Sequence, residues 1–187
     1  MWTCANIDPM TERLTDKLRG VLDPSICPDG IEARFSARIE EGRLTRGENN
    51  RSHFCVYFLP FNPETREIFI GHHKKANLWL SPGGHIEEGE FILDTLVREF
   101  GEELGVEISP DSLDTPFILT VTEIDNPPQV CREHYDIWYL VPTNGDGFSV
   151  DYREYHETRW VTLEEARELI TDPNHVLALR LLEERLT

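Results

Sequence analysis

The chain has 187 residues, a length that suits one domain of ordinary size. Hydrophobic residues make up 39%, enough to bury a core and far from disordered composition. Its 18 Lys and Arg stand against 35 Asp and Glu, a formal net charge of −17, which excludes a non-specific nucleic-acid or membrane-surface binder but admits an anionic small substrate reached through bound divalent cations.

The first 48 residues read as a helical extension. Leu14, Leu18, Val21 and Leu22 recur at helical spacing, and so do Ile31, Phe35 and Ile39. Asp23-Pro24 and Pro28-Asp29-Gly30 break the chain between them, which predicts a short helical hairpin. Residues 42–51 are polar and read as loop. From residue 53 the pattern changes to dense aromatic and β-favouring runs over 53–61 and 67–73, joined at the turn signal Asn62-Pro63-Glu64-Thr65. A short strand near 78–80 runs into the Ser81-Pro82-Gly83-Gly84 loop. A helix is expected from about Glu90 to Leu104, ended by Gly105. Further strands are read at 117–123, 134–141 and 157–161. Thr162-Leu163-Glu164-Glu165 is a capping box opening a helix, and Asp172-Pro173 starts a last one. Strands followed by helices of this length imply an α/β/α layered domain with a mixed sheet, here placed at residues 49–187.

Cys4, Cys27, Cys55 and Cys131 form no C-x-x-C pair, so a zinc ribbon or redox motif is excluded and a reduced, cytoplasmic setting is expected. The N-terminal residues have neither a basic start nor an apolar run, and the longest apolar run, residues 54–59, is too short to span a bilayer. A soluble protein without membrane association is expected.

The informative chemistry lies on the helix ending at Leu104. Glu99, Glu102 and Glu103 fall within an arc of roughly 100°, beside an apolar stripe of Leu93, Leu96, Val97, Phe100 and Leu104. Carboxylates at these spacings repel one another by a few tenths of a kcal/mol per close pair. A solvated acidic face is the simpler reading of such a triple taken alone. Its neighbours favour hard divalent cations instead, since Gly83 and Gly84 allow close backbone approach and Arg98 can hold a carboxylate in place.

The stretch from Gly84 to Val106 resembles the Nudix box, G-x5-E-x7-R-E-U-x-E-E-x-G-U. Gly84, Glu90, Arg98, Glu99, Glu102, Glu103 and Gly105 meet its fixed positions, with Phe100 and Val106 at the bulky apolar ones. The flanking strands and Trp160-Val161-Thr162 extend the resemblance over roughly residues 50–187. It implies an α/β Nudix-like α/β/α sandwich with a mixed sheet, and hydrolysis of a nucleoside diphosphate linked to another group. It implies that Glu99, Glu102, Glu103 and the Gly83 carbonyl hold Mg²⁺, or Mn²⁺ in its place, and that Arg98 and Glu90 pair to orient the helix. The expected chemistry is attack of water on phosphorus, with the proton passing to Glu102, Glu103 or a carboxylate outside the box such as Glu123, Glu133 or Glu154.

Lys74 and Lys75, in the basic run His72-His73-Lys74-Lys75, are candidates for contacting substrate phosphates, together with Gly84 and His85. His85-x-Glu87 matches the first half of a deaminase signature, whose P-C-x-x-C half is missing. His134 and Asp136 alternate on one strand face and read as a hydrogen-bonded polar pair, while Trp79, Trp138, Cys55 and Cys131 read as packing residues. Motifs that the resemblance would link to NADH, coenzyme A or ADP-ribose are missing. The partner expected is a small nucleotide-like diphosphate, with room for a homodimer. A nucleotide-sensing module without turnover and a hydrolase of a non-nucleotide diphosphate are the alternatives.

Overall fold

The computed structural model describes residues 9–125 and 129–186; Cys4 lies outside them. Among these residues, five α-helices and seven strands follow in the order α1 (Pro9–Gly20), α2 (Ile31–Glu41), β1 (Ser52–Asn62), β2 (Glu67–His73), β3 (Leu78–Leu80), β4 (Gly83–His85), α3 (Ile92–Leu104), β5 (Ile118–Glu123), β6 (Glu133–Pro142), β7 (Tyr155–Thr162), α4 (Leu163–Leu169) and α5 (Pro173–Leu186). The strands join in one mixed sheet of order β3-β2-β1-β6-β5, with β4 paired to β1 and β7 to β2. The β1–β6 pairing is parallel and runs from Ser52 opposite Glu133 to Phe61 opposite Pro142.

Each face of the sheet carries its own core. Phe54, Val56 and Phe58 of β1 pack with Ile92, Leu96, Phe100 and Leu104 of α3. Leu59 and Phe61 point the other way and pack with Ala166 of α4 and Ala178, Leu179 and Leu182 of α5. This is the α/β/α sandwich that the sequence pattern implies. Each fully buried side chain of this size contributes about 1.5–3 kcal/mol.

The N-terminal helices belong to the first of these cores. Leu14, Leu18, Phe35 and Ile39 are buried there against Phe54 and Tyr135, and the Phe35 ring meets both aromatic rings edge-on. Arg38, only 2% exposed, donates to the carbonyls of Gly42, Arg43 and Ser52 and to Ser52 Oγ. It thereby satisfies the bend between α2 and β1 with one buried guanidinium. Arg34 reaches Glu133 at 2.5 Å and Glu123 at 3.3 Å.

Local signals placed most boundaries. Asn62 Oδ1 accepts from the amides of Glu64 and Thr65, which makes the expected turn. The Thr162–Glu165 capping box forms in both directions. The last strand starts at Tyr155 rather than 157, and two differences bear on the site. Residues 83–85, read as loop, make a short strand because Gly83 and Gly84 can lie flat against Tyr57 and Val56. The helix starts at Ile92 rather than near Glu90, because the Glu90 carboxylate turns back to the Glu87 amide and to Arg98. Asp94 then accepts from the Phe91 amide to start the helix.

Candidate active site

Gly84 to Val106 folds as strand, loop and helix, and brings its polar residues together around Arg98. Arg98 forks onto Glu90, with Nε to Oε1 at 2.6 Å and Nη2 to Oε2 at 3.0 Å. Its Nη1 bridges Glu99 Oε1 at 2.7 Å and Glu102 Oε2 at 3.1 Å, and Nη2 also donates to the His85 carbonyl at 3.1 Å. One guanidinium therefore ties the end of β4 to three carboxylates, and the hydrogen bonds to Glu90 first of all raise its pKa. Glu90 is held below the usual carboxylate range: burial opposes this, but Arg98, the Glu87 amide and the Thr95 hydroxyl outweigh it.

The three helix carboxylates are not equivalent. Glu102 is 62% exposed, whereas Glu99 is 12% and its pKa is raised, mainly by burial and against the pull of Arg98. Glu103 is 7% exposed, and burial pushes it up to about 8. Its Oε2 accepts from the Tyr155 hydroxyl at 2.5 Å. Tyr155 lies 52 positions further along the chain and has no motif of its own, so nothing in the sequence pointed to it.

The backbone is shaped to this side-chain set. A Cβ on Gly84 would lie 1.7 Å from Glu99 Oε1, so only glycine lets that carboxylate settle against β4. Gly105 closes α3 in the left-handed conformation, φ 71°, and a Cβ there would strike Ser149. Carboxylate oxygens beside the two glycines of β4 are hard oxygen donors of the kind a divalent cation takes. In this arrangement the Arg98 guanidinium supplies the positive charge between Glu99 and Glu102.

Beside the helix lies a cavity of about 310 Å³, lined among others by Tyr57, Lys75, Gly83, Gly84, His85 and Glu103. Lys75 thus faces the cavity. Lys74 is not on its wall; its Nζ donates to the Tyr152 carbonyl at 2.5 Å. Of the carboxylates outside the box, Glu123 lines the cavity, Glu133 is engaged by Arg34 and Ser52, and Glu154 lies 3.6 Å from His73 Nε2. Asp136 is fully buried and accepts from the Thr120 and Thr122 hydroxyls, with burial pushing it up to about 7. Trp138 is core, its indole donating to Thr120 Oγ1 at 2.9 Å. Trp79 is half-buried, stacked on His72 and capped by the Arg159 guanidinium.

The NUDIX domain family matches residues 51–182, most of the chain. The chain belongs to that family, and the domain it carries is that of a Nudix hydrolase. It is 31% identical over 164 residues to the m7GpppN-mRNA hydrolase NUDT17 of Xenopus laevis, an alignment that takes in 79% of this chain and 53% of that protein. It is 29% identical over 146 residues to the RNA pyrophosphohydrolase of Sphingopyxis alaskensis, covering 70% of this chain and 90% of that one. The chain thus spans about half the length of the amphibian relative it matches. Among solved structures, the E. coli dihydroneopterin triphosphate pyrophosphohydrolase shares the fold at a TM-score of 0.58 and 16% identity, over 67% of this chain and 91% of that one. The C. elegans Ap4A hydrolase does so at 0.55 and 18%, over 71% of this chain and 96% of that one. Among the described residues, no helix is long and apolar enough to cross a membrane.

Proposed function

We propose that this chain is a metal-dependent pyrophosphohydrolase that cleaves a phosphoanhydride in a small nucleotide-type diphosphate. The observation that carries this reading is the convergence of Glu99, Glu102 and Glu90 on Arg98, with Glu103 on the wall of the same cavity as Gly83 and Gly84. The relatives' names share one chemistry, hydrolysis of a nucleotide-like molecule, which supports it further.

In this reading Glu99, Glu102, Glu103 and the Gly83 carbonyl hold Mg²⁺ or Mn²⁺, which supplies charge neutralisation at the diphosphate and acidification of a water. Arg98 and Glu90 fix the helix relative to β4, so the carboxylates keep their aim. Lys75 and Gly84 meet the substrate, with the Lys75 ammonium placed for a phosphate oxygen, and His85 stands beside them on the cavity wall. Glu102, the exposed carboxylate of α3, or Glu103 receives the water's proton. An acidic protein of this charge takes a polyanion only where cations are gathered, which is why the carboxylates and not a basic groove form the site. Residues 1–48 are proposed to be an extension that folds as part of the same unit.

The test is a panel of nucleoside triphosphates, oxidised nucleotides, sugar nucleotides, dinucleoside polyphosphates, capped RNA and NADH, each with Mg²⁺ and with products identified by mass. Mg²⁺-dependent products cut between two phosphorus atoms are expected. Tight binding with no product from any member would overturn the reading in favour of a sensing module. Turnover of isoprenoid or inositol diphosphates alone would move the substrate class.

A further inference from the structure

The cavity that Glu103 lines also carries a different chemistry, with Cys55, His85 and His134 on its wall. His53 and Cys55 sit two residues apart on β1 and so share a face. Their lateral neighbours complete the set, since His134 of β6 lies opposite His53 and His85 of β4 lies opposite Cys55. The three imidazole rings touch one another, with centroids 4.8, 4.9 and 5.0 Å apart. One ligand atom from each of His53, Cys55, His85 and His134 lies within 4.8 Å of the other three. Among the described residues this is the one such group of three or more His, Cys, Asp or Glu side chains, so it is tighter than the box carboxylates themselves.

Three observations beyond proximity point to a ligand. His134 Nε2 is buried and has no hydrogen-bond partner among the described residues, and the buried Asp136 Oδ1 beside Cys55 is likewise without one. His53 Nδ1 lies 2.9 Å from the Asn49 carbonyl, so that nitrogen carries the proton and Nε2 presents its lone pair inward. This imidazole-to-carbonyl bond is the outer-shell arrangement that orients a metal-binding histidine. A further thiol, Cys131 Sγ, stands 3.9 Å from His53 Nε2. Packing alone gives no reason to bring three imidazoles and a thiol to one patch of the sheet, with a second thiol beside it.

We propose that His53 Nε2, His85, His134 Nε2 and Cys55 Sγ form a tetrahedral site for a zinc-class divalent cation, distinct from the carboxylates of the Nudix box. Three nitrogens and one sulfur suit a borderline metal, whereas Mg²⁺ takes oxygen. Four protein ligands close the coordination sphere, so the site is of the structural kind and does not activate water. Zinc–nitrogen distances near 2.0–2.1 Å and a zinc–sulfur distance near 2.3 Å require the side chains to contract slightly on the ion. Coordination converts the Cys55 thiol to thiolate and releases one proton. The ion's effect is to cross-link β1, β4 and β6. It thereby holds the strand that carries Gly83 and Gly84 against the sheet. Arg46 Nη1 lies 3.5 Å from His85 Nδ1, a contact that ligation displaces, because a coordinating neutral imidazole gives its one lone pair to the metal.

The experiment uses the full chain, stripped with a chelator and titrated with Co²⁺ in excess Mg²⁺. One equivalent is expected to produce the near-ultraviolet thiolate-to-cobalt band and the visible bands of tetrahedral cobalt, both displaced by Zn²⁺. Zn²⁺ is also expected to raise the melting temperature and chelation to lower it. Cys55→Ser should remove the near-ultraviolet band, and His134→Gln should weaken Zn²⁺ binding by about tenfold or more with circular dichroism unchanged. A Glu99→Gln/Glu102→Gln variant should keep both bands while losing any pyrophosphohydrolase activity, which separates this site from the box. Absence of the bands at one equivalent overturns the proposal. So does a thiolate band that survives Cys55→Ser, or one lost in the glutamine variant. Where Cys55→Ser fails to fold, the His134→Gln affinity decides.

Discussion

Glu99 packs against Gly84 so closely that the first atom of any side chain at 84 would lie 1.7 Å from its Oε1. The helix carboxylate and the strand glycine are therefore one unit. Gly84→Ala is expected to displace Glu99 from β4, lowering stability by about 1–3 kcal/mol and turnover by more than the stability loss explains. Melting curves and steady-state kinetics on the same preparation check this; a variant with unaltered kinetics would contradict the pairing.

Glu102 is the exposed carboxylate of the box, so Glu102→Gln should leave folding nearly unchanged. Turnover should fall by about a hundredfold or more, the size expected when a few kcal/mol of transition-state stabilisation is removed. Arg98→Lys should not substitute for arginine. Arg98 makes hydrogen bonds to Glu90, Glu99, Glu102 and the His85 carbonyl, and an ammonium cannot reproduce that planar fork. Near-normal rates in either variant would remove these residues from the machinery.

Gly101 occupies the free position of the box inside α3, and a Cβ there would meet nothing nearer than the Val106 carbonyl oxygen at 4.0 Å. Gly101→Ala is therefore expected to stabilise the protein by about 0.5–1 kcal/mol through helix propensity and a less flexible unfolded chain, with activity unchanged. Chemical denaturation measures it, and a loss of stability would show that the position needs glycine for another reason.

Phe35 is fully buried between Phe54 and Tyr135. Phe35→Ala should cost about 3–5 kcal/mol, although it lies before the family-matched region. Removing residues 1–48 should give an aggregation-prone or unfolded product, because one face of the sheet would then expose its core. A truncated chain that melts like the intact one would make the extension a separate appendage.

Asp172 caps α5, its Oδ1 accepting from the Asn174 and His175 amides and from His175 Nδ1. Burial acts to raise its pKa, but these hydrogen bonds hold it below its ordinary value of 3.8. A depressed carboxyl stabilises the fold above the unfolded pKa and loses that contribution as pH falls through the folded one. Asp172→Asn keeps the acceptor and removes the charge, so it should cost about 1 kcal/mol at neutral pH. The difference from wild type should close as the pH falls below that ordinary value. A gap that stays constant into acid would show that the charge is irrelevant.

What the sequence determined by itself is what short-range spacing encodes. The box runs only from Gly84 to Val106; its helix period puts Glu99, Glu102 and Glu103 within one arc, and its resemblance to a known family implies the pairing of Arg98 with Glu90. The turn at Asn62 and the cap at Thr162 depend on contacts two or three residues long and were equally legible. Tertiary structure alone decided the rest. It buried Glu103 under Tyr155 and left Glu102 in solvent, although both stand on the same helix. It drew the N-terminal helices into the main core through Phe35, and it collected His53, Cys55, His85 and His134 into one patch. These contacts depend on pairings between strands far apart along the chain, β1 with β6 for His134 and β2 with β7 for Tyr155. No local periodicity reports such a pairing, because its energy comes from burying two faces of a sheet and not from any single segment.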